Sequence, residues 1–346
     1  MGLVNKNIKE SMDFYNVTGL SLSVIKNSQI SLEHYGELEA GSAKFINSNT
    51  IFSACSISKF ITGILVMLLT EQGLVNLDEN INKKLKTWKI PENKFTKNKK
   101  VTLRNLLCHQ SGIVDPDGSF TELNSNDDFS SIVDLLNGKS SYYKVPIELQ
   151  YEPGSDFQYS DAGYCIIQLL VEEATGKSFK DIVRELIFQP LEMHNSTFTM
   201  SISEIEGINF SRGHDKNGDL VAGKYTIYPY PAASGLWTTS SDLSILVTEL
   251  INSLKGRSKI GLSLSKAQEM ITPQGCKDWS GLGLFLDDAK GQLEISSLGW
   301  GVGFQSMIVA YPYLENGLIV MTNTDLGVHQ LNGIIGDIYK SYDFGL

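Results

Sequence analysis

The sequence predicts an α+β fold: an antiparallel β-sheet flanked by helices, with an inserted, mostly helical subdomain. Three observations carry this: strand-like alternation near the start, a run of strand patterns near the end, and helical periodicity between them. Leu20, Leu22 and Val24 alternate with Ser21 and Ser23, a polar "KNSQ" follows, and a second alternation from Ile30 to Tyr35 ends at Gly36, which reads as a hairpin. Helical spacing runs from Ser56 to about Gln72, with Gly73 placed as C-cap. After "LVNLDENI" come short helices and loops, with helices predicted near 103–109, 130–136, 162–174 and 179–188. Asp242 in "GLWTTSSDL" is placed to cap a helix ending at Leu254, and a further helix is predicted over 265–271. "GLGLFLDD", "GQLEISS", "GFQSMIVAYP" and "GLIVMTNT" read as strands, with Asn316-Gly317 as the strongest hairpin dipeptide; a last helix covers about 328–341. The prediction is one domain over 1–346, with a sheet region at about 1–72 and 230–346, a helical region at about 73–229, and a cleft where they meet.

At 346 residues and 42% hydrophobic content the chain can bury a large core. A net charge of -10 and a pI near 5.1 exclude a nucleic-acid partner, which needs clustered Lys and Arg; the one basic run, "KNKK" at 97–100, reads as a solvated loop. The longest apolar stretch, "FITGILVMLL", is about half of the roughly 20 residues that span a bilayer, so no membrane span is expected. The start, "MGLVNKNIKESMDF", lacks the pattern of a signal peptide, and Lys6 stands where a myristoylation motif wants Ser or Thr. Cys55, Cys108, Cys165 and Cys276 show no CxxC pairing and read as free buried thiols; a cytoplasmic location is the expectation. The histidines show no ligand spacing, so no metal is expected.

Ser-x-x-Lys occurs four times, beginning at Ser23, Ser56, Ser141 and Ser263, and only Ser56 begins an apolar helix. On a helix, residues three apart share a face, so Ser56 and Lys59 can touch while Ile57, Phe60, Ile61, Ile64 and Leu65 cover most of the remaining circumference. A buried cation is costly without a partner. Burial and a helix N-terminus both lower a lysine pKa, which lets a neutral amine take the proton of a serine hydroxyl, and the first turn offers free N–H groups to an oxyanion. The bland alternative is that Ser56 caps the helix and Lys59 snorkels outward. A second constellation lies about 100 residues on, in "YEPGSDFQYSDAGYCIIQLLVEEATG", where Tyr159-Ser160-Asp161 precede an apolar helix. Read alone, Asp161 is an N-cap and Tyr159 a core-edge aromatic.

Together these residues resemble the serine β-lactamase and penicillin-binding protein superfamily, in the branch holding class C β-lactamases, DD-peptidases, D-aminopeptidases and related esterases. The resemblance runs from "TGLSLSVIKNSQISLEHYGE" through "VTLRNLLCHQSGI", "FQPLEMHNSTF" and "AASGLWTTSSDL" to "SLGWGVGFQS". It implies the same fold, no cofactor, and a β-lactamase-like serine hydrolase of esterase, D-aminopeptidase or carboxypeptidase type, forming an acyl-enzyme on small-molecule esters, β-lactams or peptide amides. By it Ser56 is the nucleophile, Lys59 and Tyr159 form a coupled base, and the backbone N–H groups of Ser56 and Trp300 hold the oxyanion. Two positions depart from the family. Asp161 replaces the Asn of Tyr-x-Asn, and a carboxylate there favours a protonated Lys59, with Tyr159 as phenolate base. Ser297-Leu298-Gly299 occupies the third motif, where relatives carry Lys or His, so poor turnover of penicillins and better turnover of neutral esters is expected. The reading from another class is a binding or sensor protein that is acylated without turnover, or a catalytically impaired relative. His109 reads as a hydrogen-bonded structural residue; Trp237 and Trp300 read as cleft walls, with core packing the other reading for Trp237. Neither a Gly-x-Ser-x-Gly elbow nor a dinucleotide loop is present.

Overall fold

The strand patterns at the two chain ends have one cause: the ends pair with each other. A computed structural model describes residues 7–123, 131–198, 209–222 and 226–346; Lys6 and Ser130 lie outside them. Helix α1 (Ile8–Tyr15) leads into the hairpin of β1 (Gly19–Lys26) and β2 (Gln29–Gly36). Asn27 and Ser28, at φ of 50° and 63°, make the two-residue turn that matches strand twist. Next come β3 (Phe52–Cys55) and α2 (Ser58–Glu71), then α3 (Leu103–Leu107), α4 (Ile132–Leu136), α5 (Asp161–Thr175) and α6 (Phe179–Val183). Strands β4 (Thr197–Phe198) and β5 (Leu236–Thr238), helices α7 (Ser240–Ser253) and α8 (Leu264–Met270), strands β6 (Phe285–Ala289), β7 (Gln292–Gly301), β8 (Phe304–Tyr311) and β9 (Asn316–Thr322), and helix α9 (Ile334–Ser341) complete the chain. The main sheet is antiparallel, in the order β2-β1-β9-β8-β7-β6, so β1 is paired between β2 and β9; a smaller sheet has the order β3-β5-β4.

Helices cover both faces of the main sheet. Leu20, Leu22 and Val24 of β1 pack with Ile8 and Met12 of α1 and with Ile334 and Ile338 of α9. The opposite face of β1 carries serines, yet it is not a solvent face: Ser21 Oγ lies 2.8 Å from Ser240 Oγ, and Ser244 Oγ donates to Ser23 Oγ at 2.6 Å. Small hydroxyls let α7 pack close to the strand and satisfy one another there. The larger core cluster wraps α2, whose residues from Ser58 to Leu69 are all buried.

Several local expectations are corrected. Thr239, not Asp242, caps α7, because the Asp242 carboxylate turns away to accept from Asn195 N–H at 3.0 Å and the Ser196 hydroxyl at 2.7 Å. Asn316-Gly317 opens β9 instead of forming a turn; the connection is the four residues before it, with Tyr311 paired to Asn316. The C-terminal helix is split, a short 3-10 turn at Gln330–Asn332 preceding α9. Cys276 is exposed, whereas Cys55, Cys108 and Cys165 are buried, and all four are free. Strands β3, β4 and β5 are too short to mark themselves in the sequence, whereas the unexpected helix α1 does carry signals, an Asn7 cap that accepts the Glu10 N–H and Ile8 and Met12 one turn apart on its buried face.

Candidate active site

Strand β3 delivers the first half of the site. Its last residue, Cys55, sits at φ 47°, a left-handed conformation that costs an L-residue about 1–2 kcal/mol, and it bends the chain toward α2. Ser56 lies in that bend, two residues ahead of α2, and the cap position is held by Ile57 with no side-chain bond. Ser56 is therefore not a helix cap, and Lys59 Nζ donates to its Oγ at 3.2 Å. Nor does Lys59 snorkel: it is 3% exposed, and Nζ also donates to the Ala233 carbonyl at 2.9 Å. The fastening falls to Ser58, whose hydroxyl donates to the Cys55 carbonyl at 2.6 Å and accepts the Leu236 N–H at 3.0 Å.

The start of α5 delivers the second half. Ser160 is its N-cap, accepting from Gly163 N–H at 3.0 Å, which leaves Asp161 as the first helical residue with its carboxylate free to reach across the cleft. Asp161 Oδ1 lies 2.5 Å from Lys59 Nζ. The Tyr159 hydroxyl stands near Lys59 and Ser56, both of which favour its ionised form, and its ring centroid is 4.7 Å from Nζ. The Tyr159 ring also stacks on His109, with centroids 4.3 Å apart. His109, buried and at φ 57°, accepts the Ser160 N–H through Nδ1 at 3.1 Å.

The charges follow from these contacts. Burial opposes the Lys59 ammonium, but the Asp161 carboxylate and then Tyr159 outweigh it and hold the Lys59 pKa above its ordinary value. Burial raises the Tyr159 phenol above 10.0 against the pull of the Lys59 charge. Burial, aided by the same charge, pushes His109 well below 6.5 and keeps the ring neutral. The resting trio is thus ammonium, carboxylate and phenol.

Strand β7 forms the opposite wall. A Cβ on Gly299 would stand 2.2 Å from the Ala54 carbonyl, and one on Gly301 would stand 2.7 Å from Cys55 Sγ, so these glycines let β7 lie directly against the end of β3. Ser297, 5% exposed, lines a narrow cleft of about 270 Å³ of empty space together with Ser56, Lys59, His109, Tyr159 and Phe285. The structure therefore gathers Ser56, Lys59, Tyr159, Asp161, Ser297 and Gly299. Trp300 turns its indole outward, donating to Asp325 Oδ1 at 2.8 Å, while Trp237 is 1% exposed in the core between Phe210 and Phe304 and walls nothing. A wider groove, about 1090 Å³ of empty space lined by Trp279, Asp287, Asp288 and Tyr313, lies apart from the Ser-Lys pair. Among the described residues no group of three or more His, Cys, Asp or Glu is placed to hold a metal.

A sequence reading finds half the role of one residue of this neighbourhood and misses another. His109 is structural, as its hydrogen bond predicts, but it also lines the cleft; the signal was its place in "LLCHQSG", one of the stretches that carry the resemblance. Asp115, which grips the start of α5, sits in "GIVDPDG", where Pro and Gly make every polar residue look like loop.

The sequence profile of the Beta-lactamase family matches residues 4–333. The Staphylococcus aureus (strain MW2) protein called Protein flp is 24% identical over 244 residues, which are 70% of this chain and 45% of that protein. Penicillin-binding protein 4 of Amycolatopsis lactamdurans is 27% identical over 208 residues, 60% of this chain and 50% of that one. The chain thus spans about half the length of the curated relatives it matches. The solved penicillin binding protein from Bacillus halodurans superposes with a TM-score of 0.76 at 20% identity, covering 97% of this chain and 99% of its own. The octameric penicillin-binding protein homologue from Pyrococcus abyssi does so with 0.75 at 21% identity, covering 96% and 75%. These likenesses carry the fold. With nearly the whole chain matched, the protein belongs to the Beta-lactamase family.

Proposed function

We propose that the protein is a hydrolase acylated at Ser56 whose substrates are small neutral esters, or amides, without a carboxylate beside the scissile bond. One observation supports this above all. Lys59 is the cation lining the cleft and is met by Asp161, while Ser297, in the position where relatives carry Lys or His, is uncharged. A substrate carboxylate would enter without a free positive partner among the described lining residues and would lose its water there.

In this reading Ser56 Oγ attacks the acyl carbon and its proton passes to Tyr159. The carbonyl oxygen, carrying the electron pair, is held by the N–H groups of Ser56 and Trp300. The acyl carbon–oxygen bond then breaks, and Tyr159 returns the proton to the departing alkoxide. Water repeats the sequence on the acyl-enzyme to give the free acid. Since the Lys59 and Tyr159 pKa values are both raised, the base is the small phenolate fraction beside the ammonium, and acylation quickens as pH rises.

A panel of short-chain p-nitrophenyl esters, nitrocefin and D-amino-acid amides, with Ser56→Ala as control, tests this. We expect kcat/KM for the best ester to exceed that for nitrocefin by about 100-fold or more, and Ser56→Ala to be inactive on all. Nitrocefin turnover equal to ester turnover overturns the assignment. The Lys59–Asp161 pair also favours a second reading, a sensor that is acylated and stalls, because an ammonium held by a carboxylate is a poor base for deacylation. A fluorescent penicillin that labels Ser56 stably, without ester turnover, selects it.

A further inference from the structure

Asp115 belongs to none of the motifs, yet its carboxylate meets the start of α5 head on. Oδ1 accepts the Ser160 hydroxyl at 2.9 Å, and Oδ2 accepts the N–H of Asp161 at 2.5 Å and of Ala162 at 3.3 Å. These donors come from the few residues that carry Tyr159 and Asp161 into the cleft. From the other side His109 holds the Ser160 N–H. We propose that Asp115 is a positioning residue for Tyr159 and Asp161: as a carboxylate it fixes the turn that presents them to Ser56, and on taking up a proton it loosens that turn and slows acylation in acid.

The chemistry of the carboxyl group carries the argument. An ionised carboxylate accepts on both oxygens, whereas a protonated one must turn one oxygen into a donor. Here Oδ2 faces two N–H groups that can only donate, so a proton must sit on Oδ1, where the Ser160 hydroxyl can turn to accept it; the contacts to the Asp161 and Ala162 N–H groups then lose the charge that strengthens them, and the hold on the turn weakens. The charged and titratable groups around it are Asp161 and Cys165 on α5 and Tyr143 from the segment after α4, with Lys59 and Tyr159 beyond Asp161. Asp161 has the ammonium as partner; Asp115 has only neutral donors among the described residues. Burial and then the Asp161 charge push Asp115 up to about 7, against the hydrogen bonds from Ser160, Asp161 and Ala162, which places its proton uptake in the working range of an enzyme.

The inference rests on the reading of Ser56 as nucleophile, and one experiment separates the two. The rate at which a fluorophosphonate probe labels Ser56 in the full chain is followed from about pH 5 to about pH 9. The wild-type rate should fall toward acid with an inflection at about 7. Asp115→Asn, whose neutral amide can turn its oxygen to the Asp161 and Ala162 N–H groups and its NH2 to Ser160 Oγ but brings no charge, should label about tenfold more slowly at about pH 9 and lose that inflection. Asp115→Glu should restore an inflection, as a residue needed only for folding would not. Wild type that labels at no pH overturns the nucleophile and this inference with it; wild type that labels while Asp115→Asn keeps the same inflection overturns this inference alone. Should Asp115→Asn fail to fold, the wild-type profile decides, and a rate that climbs evenly with pH, without an inflection at about 7, overturns it.

Discussion

Two turns feed the site, and they are built in opposite ways. The turn before α2 is lean: Ile57 offers no cap, Cys55 is held at positive φ, and one side chain, Ser58, fastens it. The turn before α5 is saturated: Ser160 caps it, Asp115 takes three donors and His109 takes a fourth. The difference assigns labour. The lean turn presents the Ser56 hydroxyl and main chain to a substrate, while its next N–H groups, those of Ile57, Lys59 and Phe60, close on backbone carbonyls; the saturated turn spends its polar groups on fixing where a phenol and a carboxylate stand.

Lys59 joins the two turns, so cutting it should have the largest effect. Lys59→Met leaves Asp161 without its cation at the cleft; we expect a loss of about 3–5 kcal/mol in denaturant unfolding and of about a thousandfold or more in ester hydrolysis. A variant of wild-type stability would mean that the turns stand independently. Ser58→Ala strips the lean turn of its tie and strands the Leu236 N–H, for about 1–3 kcal/mol of stability, with the nucleophile misplaced and labelling slowed. If stability falls but the labelling rate holds, Ser58 fastens the fold and not the nucleophile. Asp161→Asn is the gentlest probe and acts through charge. The carboxylate raises Lys59, Tyr159 and Asp115, so its removal lowers all three, and both limbs of the acylation pH profile should move to lower pH, by about one unit or about 1.4 kcal/mol. An unmoved profile would remove Asp161 from the account of the base.

The lean turn was legible in the sequence and the saturated one only in part, for a physical reason. Ser-x-x-Lys at the head of an apolar helix violates the rule that a buried face carries no cation, so it announces itself. Tyr159 and Asp161 obey local rules, and their meaning depends on Lys59 a hundred or so residues away in the chain. Asp115 and Ser58 act through backbone N–H groups, which every residue has and no residue type signals. Within the fold, "FSAC" is too short and too apolar to reveal a strand, and the serines of β1 look like a wet face because nothing local shows that serines of α7 will meet them. Asn316-Gly317 misleads because a longer loop closes the hairpin just ahead of it.

Where Gly299 brings β7 against the Ala54 carbonyl at the end of β3, the two walls of the cleft meet main chain to main chain. The gauge of the cleft is thereby decoupled from the identity of the side chains around it. Lining residues such as Ser297 and Phe285 can be exchanged one at a time without prising the nucleophile from its wall, so new substrate preferences are open to this scaffold through single replacements.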